Sequence, residues 1–461
     1  MDKLITQLTE LLGSNGVLTG EDVSSREAAW GKGPCEAAAI LRPRTTEEVS
    51  KIMQICHAAN QPIVAQGGKT GLVQGCIANG QEIALSFERM NQIEEVDSAS
   101  RTMTVQAGVP LQSVHEAAEA VGFSFPLDLG ARGSATIGGN ISTNAGGNQV
   151  IRHGMTRNLV LGIEAVMADG TVITSLSKVI KNNAAYDLKQ LFIGSEGTLG
   201  LVTRAVLKLS PLLTSQNTVL AATDSFAKVT ELLNVMDREL GGHLSAFEVM
   251  WHSYYELVTN EVSHGKHSPM DRNYPYYVLM ESMGTDQSKD AERFEQLLEQ
   301  VFEQELIVDA VIAKSHKERE DLWQIRDNIE AVINWWPVFV YDISLPIPLM
   351  EGYLVKMEDR IKARWPDAKV AIFGHLGDGN LHVVVACGSD SEESHHEVNE
   401  IVYGELAPLN GSLSAEHGIG LEKRDYLQYS RSKEEIALMH TLKQAMDPKG
   451  ILNPGKVLTP L

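Results

Sequence analysis

Four residues toward the C-terminal end could do chemistry together. GHLGDGNLH carries His375 and His382, and SAEHGIG carries Glu416 and His417. Two histidines and one carboxylate, with coordination positions left open, make a divalent metal site of the catalytic type. A metal there would act as a Lewis acid and make a bound hydroxyl more acidic. His417, adjacent to the ligand Glu416, is the candidate general base for that proton. Zinc is the first expectation, with manganese, cobalt or iron open. Residues seven apart on one straight strand point to opposite faces. His375 and His382 can therefore meet only if the GDGN turn reverses the chain, which Gly377 and Gly379 permit.

A second chemistry lies upstream. PLDLGARGSATIGGNISTNAGGN, Pro126 to Asn148, packs six glycines among small hydroxyl and amide residues. Glycine lets a backbone approach a ligand closely, and exposed N–H groups supply donors to an anion. The composition suits a long loop around a large phosphorylated cofactor. It is not a dinucleotide fingerprint, because no GxGxxG follows a strand. Gln66, Gly67, Gly68, Lys69, Thr70, Gly71 and Leu72 form a second glycine turn after a strand, able to hold a pyrophosphate through backbone N–H groups. Lys69 could add charge.

These segments resemble the flavin-binding domain of the vanillyl-alcohol oxidase and para-cresol methylhydroxylase family. QPIVAQGGKTGL, RHGMTRNLVLGIEAVMADG and LFIGSEGTLGLVTRAVLKL resemble successive blocks of it. GHLGDGNLH, SAEHGIG and DPKGILNPGKVL resemble the subgroup of FAD-linked D-2-hydroxy-acid dehydrogenases, which includes D-lactate and D-2-hydroxyglutarate dehydrogenases. The likeness runs in order over residues 38–461. It implies that Pro126, Leu127, Thr136, Gly138, Gly139, Asn144, Gly146, Gly154, Glu196, Gly197, Val202 and Asn453 join the glycine turn in lining FAD. It implies metal ligation by His375, His382 and Glu416, and a substrate site containing Arg326, Tyr341 and Asn380. Some members attach FAD through a histidine in the first glycine turn. GGKTG has none, so non-covalent FAD is expected, with His153 a rival attachment point.

The implied reaction is oxidation of a D-2-hydroxy acid to the 2-oxo acid, with hydride passing to the flavin. The planar fork of Arg326 suits a carboxylate; a helix-surface pair with Glu330 is the plain alternative. D-2-hydroxyglutarate dehydrogenases carry a lysine and an asparagine where this chain has Val340 and Val384. Losing both polar partners weakens discrimination for a dicarboxylate. Trp335 and Trp336 could add an apolar wall. A monocarboxylic substrate, D-lactate or a larger apolar homologue, is therefore favoured, with D-2-hydroxyglutarate second. A non-catalytic flavin subunit of a glycolate-oxidase-like complex, a metal-dependent hydrolase and an oxygen-using alcohol oxidase are rival classes. The intact ligand and base set, the glycine segment and the metal motif, respectively, argue against them. Without a haem motif, an iron–sulfur run or a dinucleotide fingerprint, the acceptor is open among an electron-transfer flavoprotein, a quinone and a cytochrome.

The elements that must position these groups read as α+β: a two-subdomain FAD-binding domain, an antiparallel-sheet cap and a C-terminal segment returning to the flavin domain. The expected boundaries are a helical lead-in at 1–37, the FAD domain at 38–213, the substrate cap at 214–410 and the returning segment at 411–461. Thr45 or Thr46, before Glu47 and Glu48, starts a helix. The resemblance implies a cap with helices on one face of its sheet. At 43% hydrophobic and 21% charged the 461 residues form an ordinary globular protein. A net charge of −21 argues against nucleic acid or an anionic membrane surface as partner. No apolar run is long enough to span a membrane, and the N-terminal amphipathic stretch is no signal peptide. Cys35, Cys56, Cys76 and Cys387 lie far apart, which suits a reducing, cytoplasmic setting. Relatives leave a homodimer open.

Overall fold

The computed structural model describes residues 1–260 and 267–460. The chain divides into two compact units, one of residues 1–147, 153–212 and 416–461 and one of residues 148–152 and 213–415. The flavin-type sequence thus gives the short piece 148–152 to the second unit and receives the C-terminal segment.

The first unit holds two main sheets. In the smaller, Ile63–Gln66 and Ala39–Leu41 both pair in parallel with Ile83–Ser86, and Val17–Leu18 closes the edge. These short strands are apolar up to their last residues, Gln66 and Ser86, as parallel strands covered on both faces require. Helix Thr46–Ala59 starts where Thr45 accepts from the Glu48 amide and ends on left-handed Asn60. It packs Val49, Ile52, Met53 and Cys56 onto this sheet, together with Leu8 of helix Asp2–Leu12. The larger sheet is antiparallel, in the order Ile93–Asp97, Thr102–Gln106, Leu201–Lys208, Val160–Val166, Val172–Ser175. Its core takes in Leu127, Ile137 and Ile141.

The Pro126 to Asn148 stretch differs from the expected loop. Ile137–Thr143 is a helix, capped by the Thr136 side chain at its start and by left-handed Asn144 at its end. Two buried isoleucines one turn apart offset the poor helix propensity of the glycines between them.

The second unit is built on one seven-stranded antiparallel sheet. Its order is Asp309–Ile312, Ser215–Thr223, Tyr276–Gly284, Leu244–Trp251, Lys369–His375, Asn380–Ala386, Phe339–Ser344. Helices cover both faces, not one. Met250 packs into the cluster of Tyr254, Tyr255, Leu322 and Ile325, whereas its neighbour Trp251 meets Phe226 of helix Phe226–Leu240 with ring centroids 5.8 Å apart. Successive strand residues point to opposite faces, so the two helix groups lie on opposite sides. Residues 148–152 are fastened here by Arg152, which donates to the Met283 carbonyl at 2.6 Å. Among the described residues, no helix is long and apolar enough to cross a membrane.

Candidate active site

Strand Ile63–Gln66 runs directly into the turn Gly67–Gly71. The turn packs backbone to backbone on the segment before helix Ile137–Thr143. A Cβ on Gly68 would lie 1.9 Å from the Ser134 carbonyl oxygen, and one on Gly67 would lie 2.5 Å from Thr136 Oγ1. Only glycine allows that approach, and it opens a cavity of about 390 Å³ within the first unit. Of the expected cofactor residues, Gly67, Gly68, Lys69, Thr70, Gly71, Leu72, Thr136, Gly138, Gly139, Gly146, Glu196, Gly197, Val202 and Asn453 line it. Glu416 and His417 line it too.

Five expected residues form no part of this wall, each for a visible reason. Gln66 turns its amide to the Cys76 carbonyl, 3.0 Å away. Leu127 lies in the core of the larger sheet, with Pro126 beside it in the chain. Asn144 accepts from the Arg157 amide at 3.0 Å. Gly154 supplies a left-handed turn against Asn158. Lys69 does line the cavity, yet its ammonium donates to the Glu27 carbonyl at 2.5 Å. The sequence reading missed Asn140. It is buried on the cavity wall, and its Nδ2 has no hydrogen-bond partner. An unsatisfied buried donor costs about 1–3 kcal/mol, so this atom is suited to a ligand oxygen or ring nitrogen.

The C-terminal segment is stitched to this wall. Asn453 Oδ1 accepts from the Ala65 amide at 2.8 Å, and its Nδ2 donates to the Glu196 carbonyl at 2.5 Å. The Glu196 carboxylate accepts from the amides of Ile419 at 2.6 Å and Gly420 at 2.9 Å. Burial drives its pKa above the usual carboxylate range, although those amides and Lys423 pull it down. This clamp fixes the residues that follow Glu416 and His417.

In the second unit, the turn between Lys369–His375 and Asn380–Ala386 reverses the chain at left-handed Gly379. Phe373 pairs with His382 in that ladder. Paired residues share a face and so do residues two apart, so His375 and His382 point the same way. Their rings are 5.4 Å apart and nearly perpendicular.

Arg326 ends helix His316–Arg326 and is buried. Its partners are Glu248 of strand Leu244–Trp251 and, through Nη1 at 3.3 Å, the adjacent Asp327, not Glu330. Arg326 Nε donates to Glu248 Oε2 at 2.7 Å, and Glu248 Oε1 lies 2.7 Å from His375 Nδ1. Arg326 Nη2 stands 3.2 Å from His375 Nε2, and the guanidinium carbon sits 5.2 Å above the Phe373 ring. Burial raises the Glu248 pKa, but Arg326 and then His375 outweigh it and hold the carboxyl below its ordinary value. Burial lowers the Arg326 pKa, and Glu248 more than reverses this, so the guanidinium stays charged. Glu248 escaped the sequence reading. Its one signal was a lone acid within the apolar run AFEVMW.

Two expected substrate residues are placed differently. Tyr341 is buried, and its hydroxyl donates to Asn399 Oδ1 at 2.7 Å. That hydroxyl ties strand Phe339–Ser344 to helix Glu392–Tyr403. Asn380 donates to Asp342 Oδ1 at 2.7 Å, while its own buried Oδ1 has no partner. Val340 pairs with Val384, two residues along the ladder from the Asp342–His382 pair and so on the same face. Val384 is buried, and Val340 is 45% exposed. Trp335 packs at the rim of the apolar cluster, whereas Trp336 is 70% exposed.

Comparison with known proteins matches these two arrangements. Residues 37–175 match the FAD binding domain family, and residues 212–457 match the C-terminal domain of FAD linked oxidases. The chain is 39% identical over 458 residues to a rice (Oryza sativa subsp. indica) protein named "Probable D-2-hydroxyglutarate dehydrogenase, mitochondrial", spanning 98% of this chain and 81% of that one. It is 36% identical to "D-2-hydroxyglutarate dehydrogenase" of Stutzerimonas stutzeri (strain A1501), spanning 98% of each. The fold superposes on p-cresol methylhydroxylase with a TM-score of 0.75 at 16% identity, over 99% of this chain and 97% of that one. The glycine cradle, its unpaired Asn140 donor and these matches agree, and the chain belongs to the FAD-linked oxidase family, with the vanillyl-alcohol oxidase/p-cresol methylhydroxylase fold, as an FAD-dependent oxidoreductase.

Proposed function

We propose that this protein dehydrogenates a D-2-hydroxy acid to the 2-oxo acid, and that the acid is monocarboxylic, D-lactate or a larger apolar homologue. The observation that carries the substrate class is Arg326, a buried guanidinium kept charged and held rigidly beside His375. Its planar N–H edge suits a carboxylate. Bound FAD supplies the two-electron acceptor, and the missing histidine in GGKTG favours non-covalent attachment. A divalent ion, zinc first, held by His375, His382 and Glu416 would supply Lewis acidity at the substrate hydroxyl. Its support is the pair of imidazoles facing one way with 5.4 Å between ring centres. His417 is the proposed acceptor of the hydroxyl proton. Electrons then leave to an electron-transfer flavoprotein, a quinone or a cytochrome.

The apolar preference rests on Val340 and Val384, a cross-strand pair two residues from His382 along the ladder. Neither can hold a distal carboxylate. The names of the relatives favour a second reading, D-2-hydroxyglutarate. Anaerobic mixing of the flavoprotein with D-lactate, D-2-hydroxyisocaproate and D-2-hydroxyglutarate, before and after EDTA, separates the two. Fast bleaching of the flavin by a monocarboxylic D-acid, abolished by EDTA, is expected. Equal or faster bleaching by D-2-hydroxyglutarate would reverse the preference, and EDTA-insensitive bleaching would remove the metal. Acid precipitation should leave a yellow supernatant and a colourless pellet.

A further inference from the structure

Glu248 has no role in the reaction just described, yet it is the hub of the second unit's ionic cluster. Its side chain is 1% exposed. One oxygen faces His375 Nδ1, and the other accepts from Arg326, each at 2.7 Å. A carboxylate on Nδ1 selects the imidazole tautomer whose lone pair is on Nε2, fixes the ring plane and raises the ring's basicity. The same carboxylate fixes the guanidinium, which lies over the Phe373 ring, while the Tyr254 hydroxyl donates to the Arg326 main-chain carbonyl at 2.8 Å and fixes its backbone. Two groups that would meet different parts of one substrate are thereby set by a single anchor.

We infer that Glu248 is a positioning residue for both, fixing the His375 ring for a divalent ion and the Arg326 guanidinium, whose Nη1 meets Asp327 at 3.3 Å, for the substrate carboxylate. The inference rests on the metal and carboxylate reading above. It differs from a purely structural role, in which Glu248 only neutralises a buried cation. A structural anchor would affect stability alone. A positioning anchor moves metal affinity and substrate KM together.

The test uses the full-length flavoprotein and Co²⁺ as the probe. Co²⁺ affinity is measured by chelator competition, the ligand field by the visible spectrum, and folding by flavin content. Glu248→Gln retains one good acceptor for two donors. It should weaken Co²⁺ binding by about tenfold or more, the range seen when the partner of a metal-bound histidine is removed. At saturating Co²⁺ it should raise KM for the best D-2-hydroxy acid by about tenfold, with kcat falling much less. Glu248→Asp, which keeps the charge on a shorter arm, should lie between the two. Because Glu248→Gln could unfold the cluster, Glu248→Leu with Arg326→Met removes the anchor and its cation together, leaving no unpaired buried charge. That double variant should fold and still bind Co²⁺ about tenfold more weakly. Wild-type Co²⁺ affinity and spectrum in either folded variant, with only thermal stability reduced, would overturn the inference. Wild-type protein that takes up no Co²⁺ overturns the metal reading, and this inference with it.

Discussion

The two units build their sites from opposite materials. The first uses backbone: glycines that permit contact, amides that face a cavity, and a tail held by the Glu196 carboxylate and the Asn453 amide. The second uses charge taken out of water: Glu248, Arg326 and His375, drawn from three separated strands and helices. A backbone site tolerates little added volume, and its dependence on protonation runs through the Glu196 clamp alone. A buried ionic site tolerates some change of shape, but not the loss of one partner. The same contrast decides how each unit should fail.

The largest effect expected is in the charged site. Arg326→Met leaves Glu248 buried without its main partner, and breaking a buried pair from one side costs about 3–5 kcal/mol. Urea unfolding of the second unit, followed by native-state hydrogen exchange on Leu244–Trp251, should register a loss of that size. A loss under about 1 kcal/mol would mean that the cluster rearranges freely. The matching break in the backbone site is Gly68→Ala. Its methyl would meet a carbonyl, which cannot swing away, so overpacking of about 1–3 kcal/mol is expected together with loss of tightly held flavin. A variant that purifies fully yellow would show that the two glycine loops can separate.

The pH response should distinguish the units by sign. Glu248 has a depressed folded pKa, so its contribution is present above about 4.5 and is lost as pH falls through the folded value. Glu196 has a raised folded pKa, so its contribution is full below about 4.5 and is lost as pH rises through the folded value. Hydrogen exchange measured unit by unit should therefore show the second unit weakening toward acid and the first gaining. Glu196→Gln should flatten the first unit's slope and weaken the tail by about 1–3 kcal/mol, since one of two buried amides loses its acceptor. Identical slopes in both units would remove the contrast. The smallest effect belongs to Asn140→Ala, which deletes one donor from the cradle. FAD dissociation should speed up by roughly tenfold, about one hydrogen bond's worth, without a change in stability. Unchanged dissociation would mean that Asn140 does not touch the cofactor.

The contrast also explains what could be read from the sequence. The cradle is local: strand, glycine turn and small-residue stretch are contiguous, so composition alone pointed to a phosphorylated cofactor and the family likeness named it. The helix inside that stretch was hidden because glycine argues against helix, although Thr136 and Asn144 were legible caps. The histidine turn was also local, and GDGN announced the reversal. The ionic hub is not local. Glu248 lies 78 residues from Arg326 and 127 from His375, and no periodicity links them. Tyr341 entered only through the family likeness, and its hydrogen bond to Asn399 is a tertiary fact that its own segment does not encode.

The division of the chain has a consequence for synthesis. The first unit joins residues 1–147 and 153–212 to residues from Glu416 onward, while most of the second lies between in the chain. Glu416, His417 and Asn453 complete the cavity wall, and the Ile419 and Gly420 amides hold Glu196 in it. On a ribosome the glycine loops therefore emerge early and wait, with part of their wall missing, until the whole intervening unit has been translated. Flavin capture is therefore expected to wait for residues 416–453, and a message truncated anywhere before Asn453 should yield colourless protein even though every glycine of the cradle has been made.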